Sequence, residues 1–127
     1  MELREAAADG LCQLAAEPSA RQSLADQGAI GGLAAALVGE GCPEVRVRIL
    51  LALAMLIGGT PERARALADA PGAGAALMAL VRAGDDEDCR QIAAGLVAEL
   101  AKDSLAAAKM GTQLQASQAA DGTAFLM

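Results

Sequence analysis

The stretch that most limits what this chain can fold into runs from Pro43 to Gly59, PEVRVRILLALAMLIGG. From Ile49 to Ile57 every residue is apolar, and Arg46 and Arg48 place charge on the turn before. A helix apolar on all sides must be enclosed by protein or by lipid. Nine residues give about 14 Å of helix at 1.5 Å per residue, whereas a bilayer asks for about 20 residues. The expectation is therefore a core helix wrapped by other helices.

Composition says what can wrap it. Hydrophobic residues are 54% of the chain, yet Phe125 is its one aromatic and there is no Trp or Tyr. The core must be built of Ala, Leu, Val, Ile and Met, which favour helix, and runs of strand-forming residues are missing. All-α is the expected class, in one small domain of 127 residues. The net charge of -6 argues against nucleic acid, which is bound through Lys and Arg at phosphates, and against an anionic membrane surface. Cys12, Cys42 and Cys89 are odd in number and far apart, as expected of thiols in a reducing compartment. The start MELREAAADG has no basic-then-apolar secretory pattern. A cytoplasmic location is the expectation.

Taken in order, the chain repeats itself. Glu2–Ala15 has apolar residues at Leu3, Ala7, Leu11 and Leu14, the spacing of a helix. Short helices follow at Ser19–Asp26 and Ala29–Val38, and the loop Gly39–Cys42 leads to Pro43, which suits a first helical turn. After Gly58-Gly59 the pattern restarts with PERARALADA, a break at Pro71-Gly72, a short helix at Ala75–Val81 and a longer one at Cys89–Asp103. PSARQSLAD from Pro18 overlays PERARALAD from Pro61, and the long helices overlay through Arg4, Arg46 and Arg90. In that register Leu14, Leu56 and Leu100 coincide, as do Leu11, Leu53 and Val97. A period in the low forties built of short, medium and long helices is the signature of a helical solenoid. Ser104–Gln115 starts one more helix, and Ala116–Met127 reads as an irregular tail. The expected division is a repeat domain over 2–115 and a tail over 116–127.

With these features the chain resembles the armadillo-repeat family. Gly28-Ala29-Ile30, and more weakly Gly72-Ala73-Gly74, resemble that family's turn before the second helix. Leu11–Ala15, Leu53–Ile57 and Val97–Ala101 resemble its Ala-Leu-x-Asn-Leu stretch late in the third helix. The resemblance spans roughly Glu2–Gln115 and implies a right-handed α-solenoid of about two and a half armadillo-like repeats. HEAT repeats and other Ala-rich solenoids are the alternative. The chain departs from the importin-like and catenin-like members, because it has no Asn ladder and no Trp; Gln13, Met55 and Glu99 stand at the Asn positions. There is also a weaker likeness, in phrases such as GLCQL and ALAML, to the armadillo region of the myosin chaperones.

The chain carries little that could do chemistry. It contains no His, which removes the commonest general base and metal ligand. Asp85–Asp88 lacks the alternating ligands of a calcium loop and suits the start of a helix, where acids complement the dipole. Gly72-Ala73-Gly74 follows no strand and does not read as a nucleotide loop. Arg63 and Arg65 read as a solvated face, and Cys12 and Cys89 as buried. No enzyme activity, cofactor or metal is expected.

Function is expected on protein surfaces instead. The resemblance makes the stripe of third helices a concave surface, with Asp9 and Gln13, Leu51 and Met55, and Gly95 and Glu99 as successive rungs and Arg48 beside the middle one. Such a groove suits an extended segment or helix with an apolar anchor and basic flanks. Leu51 and Met55 are either its floor or simply core. The first long helix has no short helices ahead of it, so its edge is expected to be covered by further repeats or by partners. In the tail, Phe125, Leu126 and Met127 are candidate anchors. The expected role is a scaffold or protein-binding module. The alternatives are a structural subunit of a large complex that uses its ends, and a chaperone fragment.

Overall fold

Proline and glycine punctuate the chain into helices, and the computed structural model, which describes residues 2–58, 60–84 and 86–111, places the breaks before residue 87 where those residues fall. The helices are α1 (Glu2–Ala15), α2 (Pro18–Asp26), α3 (Ala29–Gly39), α4 (Pro43–Ile57), α5 (Pro61–Asp69), α6 (Ala73–Ala83) and α7 (Glu87–Ala101). A further helical stretch, α8, covers residues 104–111. Among the described residues there is no strand. The protein is all-α.

Pro18, Pro43 and Pro61 each open a helix, where the missing amide hydrogen costs nothing. Gly28 and Gly72 precede α3 and α6 with φ of 82° and 75°, a left-handed conformation that side-chain-bearing residues resist. These two glycines hold matching places, each immediately before an eleven-residue helix. Gly58 ends α4 in the same region, its amide returning to Ala54.

The long helix α4 packs against α1 on one side and α7 on the other. Short helices α2 and α3 also pack on α4, while α5 and α6 pack on α7. Val45, Ile49, Leu50, Ala52, Leu53, Leu56 and Ile57 of α4 are buried, and Leu67, Leu77, Leu96 and Leu100 join them from α5, α6 and α7. Each fully buried side chain of this size contributes roughly 1.5–3 kcal/mol. Alanines at 0% exposure on several helices, among them Ala34, Ala52, Ala68, Ala73 and Ala93, let the backbones approach closely.

The helix ends are tied by arginines. The last carbonyls of a helix have no partner within it. Arg21 of α2 donates to the carbonyls of Ala15 and Ala16 at the end of α1. Arg63 of α5 donates to Leu56 at the end of α4, 2.9 Å, and also to Gln22 of α2 at 2.8 Å. Arg65 makes two 2.9 Å bonds to Asp103. The expectation of a solvated face for Arg63 and Arg65 is thus corrected: both are joints between helices, and the reason is that orphan carbonyls and a helix cap lie within reach.

Smaller differences follow from local physics. α6 begins at Ala73, not Ala75, because Gly72 makes the turn and Gly74 is accommodated in the first helical turn. α7 begins at Glu87, not Cys89, since Asp86 accepts from the Cys89 amide at 2.9 Å and acts as the cap. Cys89 is buried as expected, but Cys12 is only half-buried, because α1 packs chiefly against α4 and α2.

Candidate protein-interaction face

The proposed rungs occupy the long helices, and their side chains differ in what they meet. On α1, Gln13 donates to Asp9 at 3.0 Å, the i, i+4 geometry of a helix face. Across the junction with α4, Arg48 lies 3.3 Å from Glu5 and 3.7 Å from Asp9. Its guanidinium also donates to the Glu44 carbonyl. Asp9, Gln13 and Arg48 are therefore brought together in one polar cluster, with Glu5 as a member the sequence reading did not single out. Its signal was available: Glu5 and Asp9 are four residues apart and so share a face.

Leu51 stands three residues after Arg48 and is 40% exposed, although it lies in the most apolar stretch of the chain. The expectation that protein encloses α4 on all sides is corrected here: one line of the helix faces solvent. Met55, four residues further on, is half-buried and packs against the core. Leu51 is thus surface and Met55 its partly covered neighbour. At the matching place on α7, Gly95 is exposed and an added Cβ would meet nothing within 4 Å.

Glu99 falls in a different setting. It pairs with Lys102 at 2.8 Å and lines a small cleft of about 190 Å³ with Ile57, Thr60, Pro61, Ala64 and Asp103. It therefore borders the turn between α4 and α5. Phe125 and Leu126 lie outside the described residues, as does the tail reading for 116–127.

A larger cleft, about 440 Å³, was not foreseen. It opens between the start of α4 and the start of α7, with Val38 and Leu80 on its apolar side and Arg46 and Asp86 on its polar side. The two glycine-bearing loops, at Gly41 and Gly84, were the available signal. Cys89 forms part of its lining, with Sγ 3.6 Å from the Pro43 carbonyl. Burial pushes the Cys89 thiol up to about 11, with Asp86 adding to the shift. It stays protonated at neutral pH and is a poor nucleophile. Partial burial, with Asp9 adding to it, also raises the Cys12 thiol. Among the described residues no group of three or more Cys, Asp or Glu is arranged to hold a metal ion, and no helix is long and apolar enough to cross a membrane. The arrangement offers recognition by apolar contact and charge.

No protein-family model, no characterised protein and no solved structure matches the chain.

Proposed function

We propose that the chain is a protein-binding module of armadillo-like design, a short right-handed solenoid of about two and a half repeats. Its face of long helices takes a segment of another protein. The observation that carries this reading is the exposure of Leu51 beside the Glu5–Asp9–Arg48 cluster. A leucine left in water on an otherwise buried helix is a natural anchor point, and charges around an apolar centre orient what binds. The preferred segment has an apolar side chain over Leu51 and basic residues toward Glu5 and Asp9. The matching glycines Gly28 and Gly72, and the packing of α4 between α1 and α7, support the repeat register.

A second reading, a structural subunit that uses its ends, is favoured by the exposure of Leu14 on α1. Affinity capture with the immobilised chain separates the two. Leu51→Asp is expected to lose the bound proteins by roughly tenfold or more, as removal of a central apolar anchor does, while Leu14→Asp retains them. Retention by Leu51→Asp together with loss by Leu14→Asp would overturn the groove reading and leave the ends as the binding surface.

A further inference from the structure

The 440 Å³ cleft between the starts of α4 and α7 has an apolar wall left in water. Its size falls in the range of about 300–1,000 Å³ for sites that hold a bound group. Val38, near the end of α3, is 51% exposed, and beside it Ala76 of α6 is half-buried and Ala79 exposed. The cleft is not an open end of the stack, since it lies among helices that the chain itself packs together, α3 on α6 and α4 on α7. Its polar side holds one cation, Arg46, and one anion, Asp86. Asp86 is engaged as the cap of α7. Arg46 donates through Nε to the Glu40 carbonyl at 2.7 Å, and among the described residues its terminal guanidinium nitrogens have no partner.

A stretch of the same chain is within reach. Residues 112–127, TQLQASQAADGTAFLM, lie outside the described residues. They hold Phe125, the chain's one aromatic, followed by Leu126 and Met127, and their one charged side chain is Asp121. Contacts trace a path from the helix before them to the cleft. Near the end of α8, Lys109 pairs at 3.2 Å with Asp69, the last residue of α5. Asp69 stands three residues before Gly72, at most about 11 Å of chain, and a Cβ on Gly72 would lie 3.4 Å from Val38. Residues 112–124 span about 40 Å when extended, more than that path requires. Their Gly, Ser, Ala and Gln content suits a flexible tether. A short tether raises the effective concentration of what it carries to the mM range, so that modest apolar contact is enough. We propose that residues 121–127 dock in this cleft, with Phe125 against Val38, Ala76 and Ala79 and Asp121 beside Arg46. The cleft is then closed by the chain's own segment, and a protein that uses it must first displace Phe125. The proposal is independent of the Leu51 face.

The test is photocrosslinking in the full chain, with Phe125→benzoylphenylalanine as the probe and mass spectrometry to map what it labels. Crosslinks are expected within one molecule, to residues 37–43 and 76–84. Val38→Glu sets a carboxylate against the aromatic ring and should cut their yield roughly tenfold. Val38 and Ala79 are both exposed, so Ala79→Glu repeats the measurement should Val38→Glu misfold. Asp121→Arg, which brings like charge to Arg46, should lower the yield several-fold. Leu105→Glu, on α8, and Leu51→Asp, on the long-helix face, should leave it unchanged. Crosslinks centred on Leu105 or Leu51 would overturn the proposal, as would crosslinks between molecules that grow with concentration. So would an equal yield in the Val38→Glu, Ala79→Glu or Asp121→Arg chains, or labelling no greater than in the urea-unfolded chain.

Discussion

Leu14, Leu56 and Leu100 hold the same place in three long helices, yet they are 51%, 1% and 0% exposed. The short helices repeat the contrast: α2 and α5 share Pro, Leu, Ala and Asp at matching places, but Leu24 and Ala25 are half-buried where Leu67 and Ala68 are fully buried. Sequence pattern settles which residues turn inward, and neighbours settle how completely they are covered. Cover, and with it the stability each helix gains, is therefore unequal even where the residues are identical.

The sharpest way to break this comparison is to truncate the same residue at the two places. Leu56→Ala is expected to destabilise the fold by about 3 kcal/mol, within the range for buried leucines whose cavity cannot collapse. Leu14→Ala should cost less than about 1 kcal/mol, as surface changes do. Urea unfolding of the two variants measures the gap. Equal losses would mean that α1 is covered as well as α4.

A smaller effect is expected at the two turn glycines. Gly28→Ala and Gly72→Ala each force a side chain into the left-handed region, at a cost of about 1–2 kcal/mol. At Gly28 an added Cβ meets open space, and at Gly72 it comes to 3.4 Å from a Val38 methyl, an ordinary van der Waals contact. Thermal melts should therefore show the two variants lowered alike. A clearly lower melt for Gly72→Ala would show that Val38 cannot accommodate the added methyl.

The helices were legible in the sequence because their breaks are chemical: Pro18, Pro43 and Pro61 cannot donate, and Gly28, Gly58 and Gly72 turn where other residues are strained. The burial of Leu53 and Leu56 followed from the length of the apolar run. What could not be read was which side of that run remains in water, since periodicity vanishes when nine successive residues are apolar. Leu51 became visible as surface only once α1 and α7 were placed beside α4. The arginine joints were hidden for another reason. Arg63 and Arg65 look like an ordinary charged helix face until distant carbonyls and Asp103 come within reach. The 440 Å³ cleft was hidden likewise, being made by two loops more than forty residues apart.

The weakest contrast lies in the joints between short helices. In the sequence register, Arg65 and Asp103 stand where Gln22 and Thr60 stand earlier in the chain. Thr60 makes no side-chain cap, while Asp103 both binds Arg65 and accepts from the Ala106 amide at the start of α8. Arg65, with the Ala106 amide adding to it, holds the Asp103 carboxyl below its ordinary range. A lowered folded value means that the unfolded chain takes up the proton first. The stabilisation is therefore complete above the unfolded carboxyl pKa of about 3.9 and is lost as pH falls through the folded value. On α2, Gln22 accepts from Arg63, and neither of those two groups titrates in the acid range, so that joint keeps its contact. Hydrogen exchange between about pH 5 and pH 2.5 should then show the α8 amides losing protection more steeply than those of α2, by a modest margin because the pair is solvent-screened. Glu44 and Glu87 also have lowered carboxyls, so the diagnostic is the change on Asp103→Asn, which keeps an acceptor for the cap and removes the proton. If Asp103→Asn leaves the α8 acid slope unaltered, the joint contributes nothing through its charge and the two places are equivalent.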